Sequence, residues 1–181
     1  PDPWRFASSD YEREKYAATL AVLPRAGYRH GLEIGCSIGV LTRDLATRCE
    51  RLLAIDCVES ALDEAHRRCA DRPGVTFERM ELPRTLPTGS FDLLVLSEVV
   101  YYWNPEDLRR MAAFTARAIE PGADIVLVHW TGETNYPLGG DAAAELFIAA
   151  TAPFTTLLLQ QRTDRYRIDV LRRLGSEAAA A

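Results

Sequence analysis

Glu33-Ile34-Gly35-Cys36-Ser37-Ile38-Gly39 sets a carboxylate beside two glycines four positions apart, and Asp56 follows 17 residues after Gly39. Glycine permits close backbone approach and positive φ, which a flat ligand crossing a loop requires. A dinucleotide fingerprint needs glycine at the first, third and sixth loop positions. Counted from Gly35, those positions hold Gly35, Ser37 and Val40, which argues against a pyrophosphate cradle and a nicotinamide dehydrogenase. An acid beside the loop suits a cationic ligand better than a phosphate. Asp56 can accept both hydroxyls of a ribose, leaving Cys57 and Val58 to flank an adenine. A ligand with an adenosine, no phosphate and a positive end is S-adenosylmethionine. The plainer alternative is a strand-to-helix turn whose glycines serve packing.

Such residues must be held at the ends of strands, and the chain alternates strand-like and helix-like segments. Ser9 with Glu12 forms a capping box that opens a helix carrying Tyr16, Leu20 and Leu23 on one face, stopped by Pro24 and Gly27. "HGLEIG" reads as a buried strand, "VLTRDLATRC" as a helix, "RLLAID" as a strand, and "SALDEAHRRCA" as a helix with Ser60 and Asp63 as a second capping box. "VTFERM" and the very apolar "FDLLVLSEV" are the next strands. Asn104 caps the helix "NPEDLRRMAAFTARAI", with Pro105 in its first turn and "EPG" at its end. "DIVLVHW" is a fifth strand. The loop "TGETNYPLGGD" leads to an Ala-rich helix, and "FTTLLLQQ" and "YRIDVLRR" form a hairpin through "RTD". The arginines of the last segment read as a solvated edge strand. This alternation predicts a three-layer α/β/α, Rossmann-like fold with a mostly parallel sheet. Such sheets take ligands beyond the carboxyl ends of their strands, where the strand order reverses.

The 181 residues, 48% of them hydrophobic, suit one domain. Within 1–181 the expected parts are a cap segment over 1–28, a cofactor-binding core over 29–130, a lid over 131–153 and a hairpin over 154–175. A net charge of -5 argues against nucleic acid or an acidic membrane as partner. The absence of an apolar span or signal-peptide pattern points to the cytoplasm. Pro1 at the start suggests a segment excised from a longer protein. Cys36, Cys49, Cys57 and Cys69 stand apart without a C-x-x-C pair, so reduced thiols are expected rather than zinc or disulfides. No acidic cluster has metal-ligand spacing, so no metal is expected. Oligomeric state is left open.

"LEIGCSIG" and "AIDCVESAL" resemble the first and second motifs of class I S-adenosylmethionine-dependent methyltransferases. With "DPWRFASSDYEREK" and "FDLLVLSEVVYY", over roughly the first two thirds of the chain, the sequence is similar to the nodulation protein S family. That family N-methylates the deacetylated amino-sugar end of chitin oligosaccharides. The resemblance implies seven strands with the last antiparallel and inserted between its neighbours, and S-adenosylhomocysteine as product. It places Met80 and Glu81 beside the adenine, Trp4 and Tyr11 in a segment folding over the cofactor, and Ser97 and Glu98 opposite the transferred methyl. Ser37 stands where the middle glycine is commonest, and "HWTGETNYPLGGD" departs from the family.

The acceptor is then expected to be a small molecule, such as an amino sugar, or another natural product methylated on N or O. A protonated amine has no lone pair, so Glu98 is a candidate to deprotonate it, or else a cap of the next turn. His129 is the other candidate base, because its ordinary pKa lies near working pH. Its plainer role is a satisfied core histidine. Tyr101 and Tyr102 can floor a sugar or sulfonium pocket, and Trp130 and Tyr136 can stack on carbohydrate. Each of the four could instead be core. The Asn/Asp-Pro-Pro-Tyr signature of base methylation is absent. A non-catalytic cofactor-binding partner domain would show the same first and second motifs.

Overall fold

In the strand Phe91–Ser97 every residue is buried, as a parallel strand covered on both faces requires. It lies within a seven-stranded sheet in the computed structural model, which describes residue 6 and residues 8–175. In chain order the strands are β1 (Tyr28–Ile34), β2 (Cys49–Asp56), β3 (Val75–Arg79), β4 (Phe91–Ser97), β5 (Ile119–Trp130), β6 (Thr155–Arg162) and β7 (Tyr166–Arg173). They lie in the order β3-β2-β1-β4-β5-β7-β6. The first five pair in parallel, and β7 runs antiparallel to both β5 and β6. The inserted antiparallel strand is the one expected. The order reverses between β1 and β4, so their carboxyl ends frame the ligand crevice.

Strand alternation sends side chains to two helical layers. Leu32, Ile34, Leu94, Leu96, Ile125 and Leu127 face α4 (Pro105–Ala118) and α5 (Gly140–Thr151), meeting Met111, Phe114 and Phe147. Leu93, Val95, Val126 and Val128 face the opposite layer, with Leu41 and Leu45 of α2 (Val40–Leu45) and the half-buried Tyr16 and Leu20 of α1 (Asp10–Ala21). Leu62 of α3 (Glu59–Arg68) closes a smaller cluster with Cys36 and Ala54. Burying each large apolar side chain contributes about 1.5–3 kcal/mol relative to exposing it. Among the described residues no helix is long and apolar enough to cross a membrane.

Asn104 caps α4 as the sequence predicts: Oδ1 accepts from the amides of Glu106 (2.8 Å) and Asp107 (3.0 Å), with Pro105 following. Asn104→Ala is expected to cost about 1 kcal/mol. Thermal unfolding should then fall by about 2–4 °C for a domain of this size.

Four local expectations need correction. The inner face of α1 is polar, because Glu12, Lys15 and Thr19 are its buried residues, while Tyr16 and Leu20 are only half-buried. Ser9 Oγ does accept from the Glu12 amide (3.4 Å), but the Glu12 carboxylate turns to Lys15 instead of closing a capping box. Ser60 lies inside α3, whose cap is Val58 with no side-chain bond. Finally, β7 is an interior strand and β6 the edge. Arg167 and Asp169 on it are buried and bonded to each other (Nε–Oδ2 2.7 Å), so its charges form an internal ion pair.

Candidate cofactor and acceptor site

The loop after β1 is stitched to β2 by the amides of Gly35 and Cys36, which donate to Ile55 O at 2.9 and 3.1 Å. Gly35 has φ +87°, and a Cβ there would lie 2.3 Å from Val99 Cγ1 and 2.5 Å from Ser97 O. Only glycine lets the ends of β1 and β4 approach so closely. Ser37 also adopts a left-handed backbone, φ 46°, and its amide donates to Asp56 Oδ2 at 2.9 Å. Asp56 Oδ1 accepts from the Val58 amide at 2.9 Å. One carboxylate oxygen therefore spends an acceptor position on the loop and the other on the turn after β2, and each keeps another. Gly39 serves packing: a Cβ there would meet Cα and Cβ of Ala65 in α3, both at 2.9 Å. The Cys36 side chain is likewise buried against Ala54 and Leu62.

Glu33 points from β1 into the layer of α2. It is fully buried, and among the described residues its oxygens make no hydrogen bond of ordinary geometry, the Thr42 hydroxyl nearby standing outside that range. Burial pushes its pKa up to about 7, an effect the Thr42 hydroxyl partly offsets and the Asp56 charge reinforces. A carboxyl whose folded pKa is raised contributes stability below its unfolded pKa, near the ordinary value of 4.5, and loses it as pH rises through about 7. Glu33→Gln is therefore expected to raise the unfolding temperature at pH 8 and leave it nearly unchanged at pH 4.5. Equal shifts at both pH values would show that Glu33 does not ionise in the core.

Around Asp56, Cys57 and Val58 are exposed, forming a small apolar rim. The Met80 amide donates to Asp56 O at 3.0 Å, and its side chain is half-buried against the core. Glu81 is exposed and paired with Arg84 at 3.2 Å. Trp4 lies outside the described residues. Tyr11 meets Trp130 edge-on with centroids 5.6 Å apart, under the Arg165 guanidinium at 4.3 Å, and its buried hydroxyl has no partner among the described residues.

The ends of β4 and β5 carry the remaining polar groups. Ser97 is buried. Glu98 has φ 57°; its Oε1 is 2.5 Å from Lys15 Nζ, and its Oε2 accepts from the Tyr101 hydroxyl (2.8 Å) and the Trp130 amide (2.9 Å). Burial acts to raise its pKa, but the Lys15 charge and the donated bonds outweigh it and hold the carboxyl below its ordinary value. His129 is fully buried, and its Nε2 accepts from the Val100 amide at 3.2 Å. Desolvation lowers its pKa to about 4, so it is neutral with the proton on Nδ1. His129 therefore has no free lone pair, and Glu98 keeps one acceptor position, on Oε1 beside the Lys15 charge.

Tyr101 is buried and stacks on Tyr136 at 4.9 Å and 14°, while Tyr102 is half exposed and tilts against Tyr136 at 4.4 Å. Lys15 is the residue the sequence reading missed. A clue lay in its spacing of three from Glu12 and four from Tyr11 on a capped helix. Two surface hollows, bordered by Cys49 and Glu50, lie at the opposite, amino-terminal ends of β1, β2 and β3 and hold none of these groups.

The family profile described as nodulation protein S (NodS) matches residues 1–120. The chain belongs to the NodS family. The Rhizobium tropici nodulation protein S is 33% identical over 127 residues, 69% of this chain and 53% of that protein. The chain spans about half the length of the curated NodS proteins it matches. Among solved structures, a putative methyltransferase from Pseudomonas syringae is 34% identical, with TM-score 0.78 over 90% of this chain and 99% of that one. The N-methyltransferase NodS from Bradyrhizobium japonicum WM9, in complex with S-adenosyl-L-homocysteine, is 23% identical with TM-score 0.80, over 95% of this chain and 92% of that one. This last likeness bears on the fold.

The site suits an adenosine-bearing sulfonium. Asp56 retains acceptor capacity for two hydroxyl donors, Cys57 and Val58 offer a face to a purine, and no Lys or Arg stands in 35–39 to hold a phosphate. Among the described residues no group of three His, Cys, Asp or Glu side chains is placed to hold a metal ion.

Proposed function

We propose that this NodS-family chain is an S-adenosylmethionine-dependent methyltransferase that N-methylates a small-molecule amine, such as a deacetylated amino sugar or oligosaccharide. The observation that carries the reading is Asp56 at the end of β2, next to the switch point, with one oxygen bonded to the glycine loop and the other to its own turn. The likeness to NodS, one member of which is described with S-adenosyl-L-homocysteine, supports it.

The cofactor supplies an electrophilic methyl on a sulfonium. The chain's own task is alignment, and holding reactants in line can contribute up to about 7–11 kcal/mol. Asp56 and the backbone around Gly35 and Ser37 fix the adenosine end; Cys57, Met80 and Glu81 border the base, and Tyr11 covers the site from α1. Tyr102, Tyr136 and Trp130, backed by the buried Tyr101, give the acceptor apolar faces of the kind sugars stack on. Glu98 and His129 act here as orienting groups. Glu98 fixes Tyr101 and the Trp130 backbone, and His129 fixes Val100. Glu98 Oε1 keeps one acceptor position, but the Lys15 charge beside it makes it a weak base, so an amine acceptor would lose its proton chiefly to water.

The test is calorimetric titration with S-adenosylmethionine, S-adenosylhomocysteine and NAD. Saturable binding of the first two alone is the expected result, and binding of NAD alone would overturn it. An acceptor screen then starts with glucosamine oligosaccharides, read by mass gain of one methyl. Gain on amines or hydroxyls of other natural products, and not on glucosamine oligosaccharides, would move the substrate class while keeping the activity.

A further inference from the structure

Lys15 is 2% exposed, which is rare for a lysine, and its surroundings form a built cation site. Its Nζ stands 3.0 Å from Glu12 Oε2 and 2.5 Å from Glu98 Oε1. The ring faces of Tyr11 and Tyr16 lie 5.1 and 5.9 Å away. Glu98 in turn receives hydrogen bonds from three places: α1 through Lys15, the turn after β4 through Tyr101, and the end of β5 through the Trp130 amide. A non-glycine residue holds a left-handed backbone, as Glu98 does, only where its neighbours over-determine it. Lys15 provides the charged one of these contacts.

We propose that Lys15 is a positioning residue of the acceptor site: acting through Glu98, it ties α1 to the carboxyl ends of β4 and β5 and commits the Glu98 carboxylate to orienting Tyr101 and Trp130. Its place in methyl transfer rests on the function proposed above; its action on Glu98 does not. Without Lys15, Glu98 would face the Glu12 carboxylate with no cation between them. The titratable groups around Glu98 are Tyr11, Glu12, Lys15 and Tyr16 of α1, Tyr101 and Tyr102 of the following turn, and His129 of β5. Of these, Lys15 alone brings a positive charge to the carboxylate at neutral pH.

The experiment is NMR titration of glutamate-labelled protein, with E98Q assigning the Glu98 signal, in the wild type, K15M and K15R. Hydrogen exchange at the Trp130 amide and S-adenosylhomocysteine calorimetry are read on the same samples. Glu98 is expected to titrate low in the wild type and K15R and at least about one pH unit higher in K15M, a tenfold change in proton affinity. Trp130 exchange should quicken about tenfold in K15M, and adding K15M to E98Q should quicken it no further. An unmoved Glu98 midpoint in K15M, or an equal added effect of K15M on the E98Q background, would overturn the proposal. E98Q alone keeps the side chain's shape and Lys15, so unchanged Trp130 exchange there overturns it even if K15M does not fold. Failure of the wild type to bind S-adenosylhomocysteine would count against the methyltransferase reading and leave the titration to judge Lys15.

Discussion

Asp56→Asn is expected to weaken S-adenosylhomocysteine binding by about 100-fold. Asparagine keeps one oxygen and brings two N–H donors, so it cannot accept from both the Ser37 and Val58 amides, as Asp56 does at 2.9 Å each. Whichever amide it loses, it also loses the charge that would hold two ribose hydroxyls. Hydrogen bonds to a charged group contribute about 1.5–3 kcal/mol each. Losing the equivalent of one or two of them is about 3 kcal/mol, or roughly two powers of ten in affinity. Calorimetry on the variant reads this directly. Glu50→Gln is the control, because Glu50 is exposed and lies at the opposite end of β2 from Asp56. An Asp56→Asn protein that binds within twofold of the wild type would remove the adenosine site from the end of β2.

The second large effect is on stability. Arg167→Met is expected to cost about 3–5 kcal/mol, the usual result of leaving a buried charge without its partner. Asp169 is fully buried and takes Arg167 Nε and Nη2 at 2.7 and 3.0 Å, with Gln160 Nε2 at 2.8 Å as its remaining donor. Arg167 also reaches Asp141 and Glu145 of α5, both at 3.3 Å, so the pair links the hairpin to that helix. The unfolding temperature should fall by on the order of 10 °C. The double variant Arg167→Met/Asp169→Leu should recover much of the loss, because an apolar pair can replace a buried ion pair at little cost. Equal losses in the single and double variants would place the effect in packing rather than charge.

The parts of this molecule set by local rules could be read in advance. Strand and helix alternation, the Asn104-Pro105 start of α4, the "RTD" hairpin and the acid at the end of β2 each depend on neighbours in sequence. What escaped depended on distant partners. Lys15 looks like a solvated residue of a charged helix until Glu98, 83 positions away, comes beside it. Arg167 reads as edge-strand charge because nothing local says that β7 lies inside β6 or that Asp169 is buried beside it. Glu98 and His129 had the residue types of proton carriers. His129 Nε2 is spent on Val100 and three acceptor positions of Glu98 on Lys15, Tyr101 and Trp130, and only the assembled ends of β4 and β5 with α1 show this. The loop divides the same way: Gly35 is required by Ser97 and Val99, and Gly39 by a helix 26 positions further along the chain, at Ala65.

The two bonds that Asp56 accepts have a thermodynamic corollary. The amides of Ser37 and Val58 are anchored by the protein's own carboxylate, so the nucleoside would meet a surface that does not have to be folded around it. Affinity is then spared the ordering cost that a mobile loop would levy on every binding event. The heat capacity change of binding should accordingly be small and negative, reflecting desolvation of the purine and the ribose alone. Association should likewise run at a rate set by encounter rather than by loop rearrangement.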